Sequence, residues 1–325
     1  GRGIMSTAKD ICILTATLDD WDSLLVLLAE LNETLAGADL SATVVVIDDG
    51  SSNFVEPDRF KIKEWAHITE VRIVTLYRNL GNQRAVSVGL GYIATELPGL
   101  PVVMMDADLE DQPKYLPALI EKMHEVGNKI VFAERSERSE GQSFKVFYGI
   151  YQRLYKMLTG LPISIGNYSA IPAKLVPRVA SIAEIASHYP AGIMRARVPY
   201  TTIHSVRGLR RFGESKMRLV SLIIHGLSGF AVHADVVGVR IVLGILATIA
   251  VIGGIVGVLI FQKLFTDIHI IGWTSQIVVL LISFMAQIFV AAIFIVFLVL
   301  ANRNQTSFMP IADHGKFIMD VIRLR

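Results

Sequence analysis

The sequence predicts an α/β domain with a mostly parallel sheet, followed by two apolar helices long enough to cross a membrane. Three observations lead there. Short apolar runs alternate with segments of helical periodicity over residues 11–133, acidic residues gather just after the ends of those runs, and most of residues 236–300 is almost free of charge. The 325 residues, 52% of them hydrophobic, allow one to three domains, and 31 Lys plus Arg against 29 Asp plus Glu gives no general case for nucleic acid binding. Residues 1–230 read as an ordinary soluble protein, so the apolar excess is concentrated downstream.

The first strand is expected at residues 11–16 and ends in Thr15, Thr17 and Asp19, with a helix near 20–36. Cys12 is the single cysteine; inside an apolar run it reads as core, and it leaves no disulfide framework or cysteine metal site within the chain. The second strand, 43–47, runs into Asp48-Asp49-Gly50-Ser51-Ser52, an acidic turn able to accept hydrogen bonds from a base or ribose. After the third, 71–76, come Arg78-Asn79-Leu80-Gly81-Asn82-Gln83 and a helix near 81–96. Arg78 can pair with a phosphate or a carboxylate, while Asn79 and Gln83 offer neutral hydrogen-bonding groups. Gly89-Leu90-Gly91 lies inside that helix rather than at a strand-to-helix turn, so it is not a dinucleotide fingerprint. The fourth strand, 102–105, leads directly into Asp106-Ala107-Asp108, then a helix near 113–126 and a strand at 130–133. In open α/β sheets ligands bind outside the carboxyl ends of strands, so these carboxylates are expected to face one crevice.

Two hard oxygen ligands at Asp106 and Asp108 can hold Mg²⁺ or Mn²⁺ against a diphosphate, although acidic pairs after strands also serve as turns and helix caps. His188, His204, His225 and His233 have no metal-binding spacing. Residues 143–159 combine Lys145, Arg153 and Lys156 with Phe144, Phe147, Tyr148, Tyr151, Leu154 and Tyr155, which suits either a membrane interface or a surface helix packed on the sheet.

Residues 236–261 and 277–300 are each long enough to cross a hydrocarbon core of about 30 Å, with a polar interruption at 262–276. That interruption holds Lys263 alone, whereas the tail carries Arg303, Lys316, Arg323 and Arg325, which puts the tail and the N-terminal domain in the cytoplasm. Gly1 to Ile4 ahead of Met5 read as an expression scar without the order of a signal peptide. Arg240 is expected to snorkel, and Gly253, Gly254 and Gly257 to allow close helix packing, compatible with a homo-oligomer. Asn304-Gln305-Thr306 fits a glycosylation pattern that the cytoplasmic side leaves idle.

Taken in order, the DDGSS turn, the RNLGNQ segment, the DADLEDQP stretch and Arg210-Arg211-Phe212-Gly213-Glu214-Ser215-Lys216-Met217 resemble the family 2 glycosyltransferases of the GT-A fold, specifically the polyprenyl-phosphate glycosyltransferases of the GtrB and dolichyl-phosphate mannose synthase type. The resemblance covers nearly the whole chain and includes the two-helix C-terminal anchor. It implies a GT-A domain over residues 6–215, an interfacial segment at 216–234, two transmembrane helices at 235–301 and a cytoplasmic tail at 302–325. It implies transfer, with inversion, from a nucleotide sugar, UDP-linked by family preference, to a polyprenyl phosphate at the inner membrane. Asp49 would then meet the base, with Thr17, Asp19, Arg78 and Gln83 on the donor; Asp106 and Asp108 would hold the metal diphosphate; and Arg210, Ser215 and Lys216 would meet phosphate. Clustered Arg and Lys beside the apolar stretch 219–232 also suit a lipid phosphate on physical grounds, or simple adhesion to anionic lipid. One departure stands out: Gly166-Asn167-Tyr168-Ser169 occupies the place where relatives often carry an acidic residue. The alternatives are another membrane lipid or glycan acceptor, against which the absence of Gln-x-x-Arg-Trp speaks, and a catalytically silent membrane scaffold or transport component.

Overall fold

The computed structural model describes residues 10–53, 56–60, 64–135, 142–162, 165–206, 208, 227–266, 273–303 and 308–325. Arg210, Ser215, Lys216, His225, Asn304 and most of the 216–234 segment lie outside them. The chain divides into two compact units: Gly1–Tyr151, Pro162–Val232 and Ser307–Arg325 form one, and Gln152–Leu161 with His233–Thr306 the other.

The first unit is built on a sheet of β1 (Asp10–Thr17), β2 (Ser41–Asp48), β3 (Ile68–Leu76), β4 (Val102–Met104), β5 (Ile130–Arg135), β6 (Ile165–Ile171), β7 (Tyr200–Ser205) and β8 (Ile318–Leu324), in the order β7-β5-β6-β4-β1-β2-β3-β8. The pairs β1–β2, β2–β3, β1–β4 and β5–β7 are parallel, and β4–β6, β5–β6 and β3–β8 antiparallel. This is the mixed, mostly parallel sheet expected of a GT-A domain. The inner strands are buried on both faces, which is why they read as nearly unbroken apolar runs. Ile11, Ile13, Val44 and Val46 point to the face covered by α1 (Trp21–Gly37) and α3 (Leu116–Val126), meeting Leu24, Leu28, Leu31, Leu119 and Ile120. Leu14 and Ile47 point to the opposite face, against α2 (Asn82–Glu96). There a Cβ on Gly89 would stand 2.5 Å from Leu14 and 2.9 Å from Ile47, so only glycine lets the helix sit this close. Cys12 is fully buried, and burial pushes its thiol far above the usual range.

The strands β6, β7 and β8 were not anticipated. β8 in particular makes an ordered sheet edge out of what the sequence suggested was a plain tail. It pairs with β3 from Val71↔Leu324 to Leu76↔Ile318, and Tyr77 N–H donates to Phe317 O at 3.0 Å. Beneath it β3 carries a buried ion pair, Arg72 Nη2 to Glu70 Oε2 at 3.2 Å, and Arg72 also donates to Tyr92 of α2. The smaller helices of this unit are α5 (Val176–Ala180), α6 (Tyr189–Arg195) and α9 (Pro310–Asp313), while α4 (Gln142–Thr159) spans the division between units.

In the second unit α7 (Ala234–Phe265) and α8 (Trp273–Arg303) overrun the expected spans at both ends. Both are long and apolar enough to cross a membrane. Leu243, Val251, Val258, Leu280, Phe294 and Phe297 are exposed along them. Lys263 Nζ donates to Ser275 Oγ at 2.7 Å between the facing helix ends. Within the chain the close approach of the two helices does not run through Gly254 or Gly257. A Cβ on Gly254 or Gly257 would meet nothing within 4 Å, whereas on Gly253 it would meet Met285 of α8 at an ordinary 3.8 Å. The close approach is at Gly238 instead, where a Cβ would lie 2.6 Å from Val299 Cγ2. Arg240 donates to Met157 O at 2.7 Å, so its charge is held by a carbonyl of this unit.

Candidate active site

Strand β1 has β2 on one side and β4 on the other, and the chain order reverses there, so the carboxyl ends of β1 and β4 flank the crevice where such sheets take ligands. Three turns make one rim of it. Asp19, at φ 51°, accepts from Ser52 N–H (2.8 Å) and Asn53 N–H (3.2 Å) with one oxygen, and its own N–H donates to Ser51 Oγ (2.9 Å). Asp48 Oδ1 closes its own turn by accepting from Ser51 N–H at 2.9 Å. Asp49 reaches the third turn: Oδ1 accepts from Leu80 N–H at 2.7 Å and Oδ2 from Gly81 N–H at 3.0 Å. Burial pushes the Asp49 carboxyl up; the two amides partly offset that, Asp48 adds to it and Arg78 opposes it. Gly50 sits at the crossing with φ 77°, and a Cβ there would lie 2.8 Å from Asn79 N, so the residue between the clamped turns has to be glycine.

The sequence-predicted donor residues are therefore brought together, though much of their hydrogen bonding is already used. Thr17 contributes its carbonyl, which accepts from Asp49 N–H at 2.9 Å, while its hydroxyl is buried. Arg78 is exposed at the rim, where its Nη1 lies 3.5 Å from Asn79 O. Both ends of the Gln83 amide are engaged by protein: Nε2 donates to Asn167 Oδ1 (3.1 Å) and Oε1 accepts from Tyr189 N–H (2.7 Å).

Asp106 and Asp108 are half-buried just beyond the fully buried β4. Asp106 Oδ1 accepts from the Asn82 side chain at 3.2 Å, and Asp108 Oδ1 accepts from Glu110 N–H at 3.1 Å. Asp111, which sequence reasoning left unassigned inside its DADLEDQP stretch, is buried and fixes the pair by accepting from Asp106 N–H at 3.0 Å. Leu109, at φ 66°, makes the sharp bend between them. Among the described residues no group of three or more His, Cys, Asp or Glu is poised around a metal. Two carboxylates still suit Mg²⁺ or Mn²⁺ of the kind that draws its remaining ligands from substrate phosphates and water.

The same loop anchors the chain just ahead of Arg210. Gln112 Nε2 donates to Val206 O (2.8 Å), Val206 N–H to Tyr115 Oη (3.1 Å) and Gly208 N–H to Glu110 O (2.8 Å). A Cβ on Gly208 would lie 2.5 Å from Leu109 O. Tyr168 donates from its hydroxyl to Gln112 O at 3.1 Å, and burial, with Asp111 and Tyr115, holds that phenol well above its usual range, so it stays a neutral donor. His188 caps α6 by accepting from Ala191 N–H, His204 is exposed on β7, and His233 packs edge-on to Tyr155.

The family model described as Glycosyl transferase family 2 matches residues 12–172, the stretch that holds β1 to β6 and every carboxylate above. The chain is 28% identical over 219 residues to a Bacillus subtilis (strain 168) glycosyltransferase, YkcC, described as uncharacterized, covering 65% of each. It is 27% identical over 224 residues to undecaprenyl-phosphate 4-deoxy-4-formamido-L-arabinose transferase of Klebsiella pneumoniae (strain 342), covering 66% of this chain and 65% of that one. The match thus spans just under two thirds of the length of these relatives. Among solved structures, glucosyl-3-phosphoglycerate synthase from Mycobacterium tuberculosis in complex with Mn²⁺, uridine diphosphate and phosphoglyceric acid is similar over 71% of this chain and 79% of that chain, with 17% identity and a TM-score of 0.49.

Proposed function

We propose that this chain, which belongs to glycosyl transferase family 2, moves a sugar from a nucleotide diphosphate sugar, UDP-linked by preference, to a polyprenyl phosphate at the cytoplasmic face of a membrane. The observation that carries this is the pair Asp106 and Asp108 at the carboxyl end of β4, beside a rim of turns locked by Asp19 and Asp49. A Mg²⁺ or Mn²⁺ held by Asp106 and Asp108 would neutralise charge growing on the departing diphosphate. Asp49 and Asp19 keep the donor-side turns rigid, and exposed Arg78 offers a guanidinium to a phosphate. Arg210, Ser215 and Lys216 would supply further phosphate contacts, and the anchoring of Val206 and Gly208 on the acidic loop supports an origin for that segment close to the site.

Two further observations support the membrane part of the reading. The run of exposed apolar side chains on α7 and α8 is far larger than water tolerates on a monomer, and lipid would cover it. Because β8 pairs with β3, the chain after α8 must return to the side from which it left before α7, which requires an even number of crossings. Helix α4 fits an interface position, with Ile150, Leu154 and Met157 exposed at helical spacing beside exposed Arg153 and Lys156. The similarity to an undecaprenyl-phosphate transferase supports the choice of acceptor.

The test is transfer itself. Purified protein is incubated with labelled UDP- and GDP-sugars and undecaprenyl phosphate, with Mn²⁺, with Mg²⁺ and with chelator. The expected product is a cation-dependent, inverted glycosyl phospholipid. No glycolipid from any donor, or a product formed only on an acceptor without phosphate, would overturn the proposal.

A further inference from the structure

We infer that Asn167 is a hydrogen-bond donor to an acceptor that arrives already ionised, and that Gln83 is the positioning residue that aims it; this rests on the glycosyltransferase reading above. The hydrogen-bond chemistry fixes which way each amide points. A main-chain N–H can only donate, so the end of Gln83 that meets Tyr189 N–H at 2.7 Å is its oxygen. The other end is therefore the nitrogen, and it donates to Asn167 at 3.1 Å, which makes the Asn167 atom facing it the oxygen. The Asn167 Nδ2 group, with two N–H bonds, is left without a partner among the described residues. Rotating either amide by half a turn would set donor against donor.

The chain of bonds is anchored in the core. Tyr189 is fully buried, its hydroxyl lies 3.0 Å from Ser169 Oγ, and its ring packs against Phe132 at 5.7 Å between centroids. It also ends beside the acidic pair. Strands β4 and β6 pair through Val102↔Ile171, Val103↔Ala170 and Met104↔Ser169, with Asp106 two residues beyond the last paired residue of β4 and Asn167 two residues before Ser169 on β6. Adjacent residues at the start of α2 touch both: Asn82 reaches Asp106 and Gln83 reaches Asn167.

An amide there cannot take a proton from an alcohol, but it can donate to an anionic oxygen. A phosphate monoester, with a second pKa near ~6, needs no base at neutral pH. Its oxygen forms the new bond to the anomeric carbon as the bond from that carbon to the diphosphate oxygen breaks. The electron pair leaves with the nucleoside diphosphate, which gains the unit of negative charge that the acceptor phosphate loses, and no proton moves.

The test compares a prenyl phosphate with the matching prenyl alcohol on the full-length protein at saturating donor. Wild type is expected to use the phosphate and not the alcohol. Asn167→Ala should raise KM for the prenyl phosphate by about ten- to a hundredfold, the loss expected of a hydrogen bond to a charged group, with kcat much less affected. Gln83→Leu should move acceptor KM in the same direction as Asn167→Ala, whereas a merely structural role would not single out the acceptor. Donor KM, unchanged in Asn167→Ala, reports that the donor side is intact, and an unchanged circular dichroism spectrum reports that both variants are folded. An unchanged acceptor KM in Asn167→Ala or Gln83→Leu would sink the assignment of these residues alone. Wild-type transfer to the alcohol in preference to the phosphate would sink the acceptor reading beneath it.

Discussion

The aspartates after β1 and β2 and those after β4 look alike in the sequence and do different work. Asp19 and Asp49 spend their oxygens on main-chain N–H groups of other turns, more than thirty residues away in each case. Asp106 instead receives a side-chain amide from exposed Asn82, and Asp108 receives the N–H of its own turn. The first set acts as mortar between loops. The second set is held in place by its own loop and by Asp111, and keeps its carboxylates at the crevice. An acidic residue after a strand is thus ambiguous until its partners are known, and substitution separates the two kinds.

The largest effect is expected at the second set. Asp108→Ala should reduce sugar transfer by about a thousandfold or more, since it removes charge stabilisation at the departing diphosphate, while thermal unfolding stays close to wild type. If unfolding collapses and transfer per folded molecule does not, Asp108 belongs with the mortar and the comparison breaks. Asp49→Ala should behave in the opposite way. It strips two main-chain N–H groups of their acceptor, at a cost of about 2–3 kcal/mol in unfolding free energy measured by denaturant titration. Activity would fall with the fraction folded and with loosening of the rim.

Gly50→Ala sharpens the same point without touching a carboxylate. The substitution forces a side chain onto a backbone at φ 77° and puts a Cβ 2.8 Å from Asn79 N, so the DDGSS and RNLGNQ turns must separate. About 1–3 kcal/mol of destabilisation is expected. An unchanged midpoint would mean that the two turns are not clamped.

How much of this was legible in the sequence follows from the range of the interactions. The strands at 11–16, 43–47, 71–76, 102–105 and 130–133 announced themselves because strands buried on both faces are apolar without interruption, and each appears within a few residues of its expected place. β6 did not, because it includes Gly166, Asn167 and Ser169, and its buried Ser169 finds a polar partner in Tyr189, twenty residues on. β7 offers a single aliphatic residue, Ile203. β8 is apolar enough, but its partner β3 lies more than two hundred residues earlier, across both long helices, and no local pattern carries that pairing. The site divides in the same way. Asp106 and Asp108 were readable from type and position, whereas the roles of Asn82, Asp111 and the Gln83–Asn167–Tyr189 chain depend on sheet register and loop geometry. Gly253, Gly254 and Gly257 of α7 were readable as small residues, but that the tight contact with α8 falls at Gly238 was not.

The smallest effect tests the mortar through its protons. Burial raises the Asp49 carboxyl above its ordinary 3.8, against the pull of two amides and Arg78. Below 3.8 both the folded and the unfolded chain hold this proton. Between that value and the raised one, the folded chain keeps a proton that the unfolded chain has released. Stability from this group therefore falls as pH rises through that window, with a slope of at most about 1.4 kcal/mol per pH unit, and is level above it. Most surface carboxylates that gain partners on folding give the opposite sign. Unfolding free energies of wild type and Asp49→Asn, compared across the acid range, isolate the contribution: the difference between them should carry the falling slope. A difference that rises with pH there would mean that the amides of Leu80 and Gly81 outweigh burial, and that Asp49 is a favourably ionised ligand group rather than a carboxylate held at a cost between two turns.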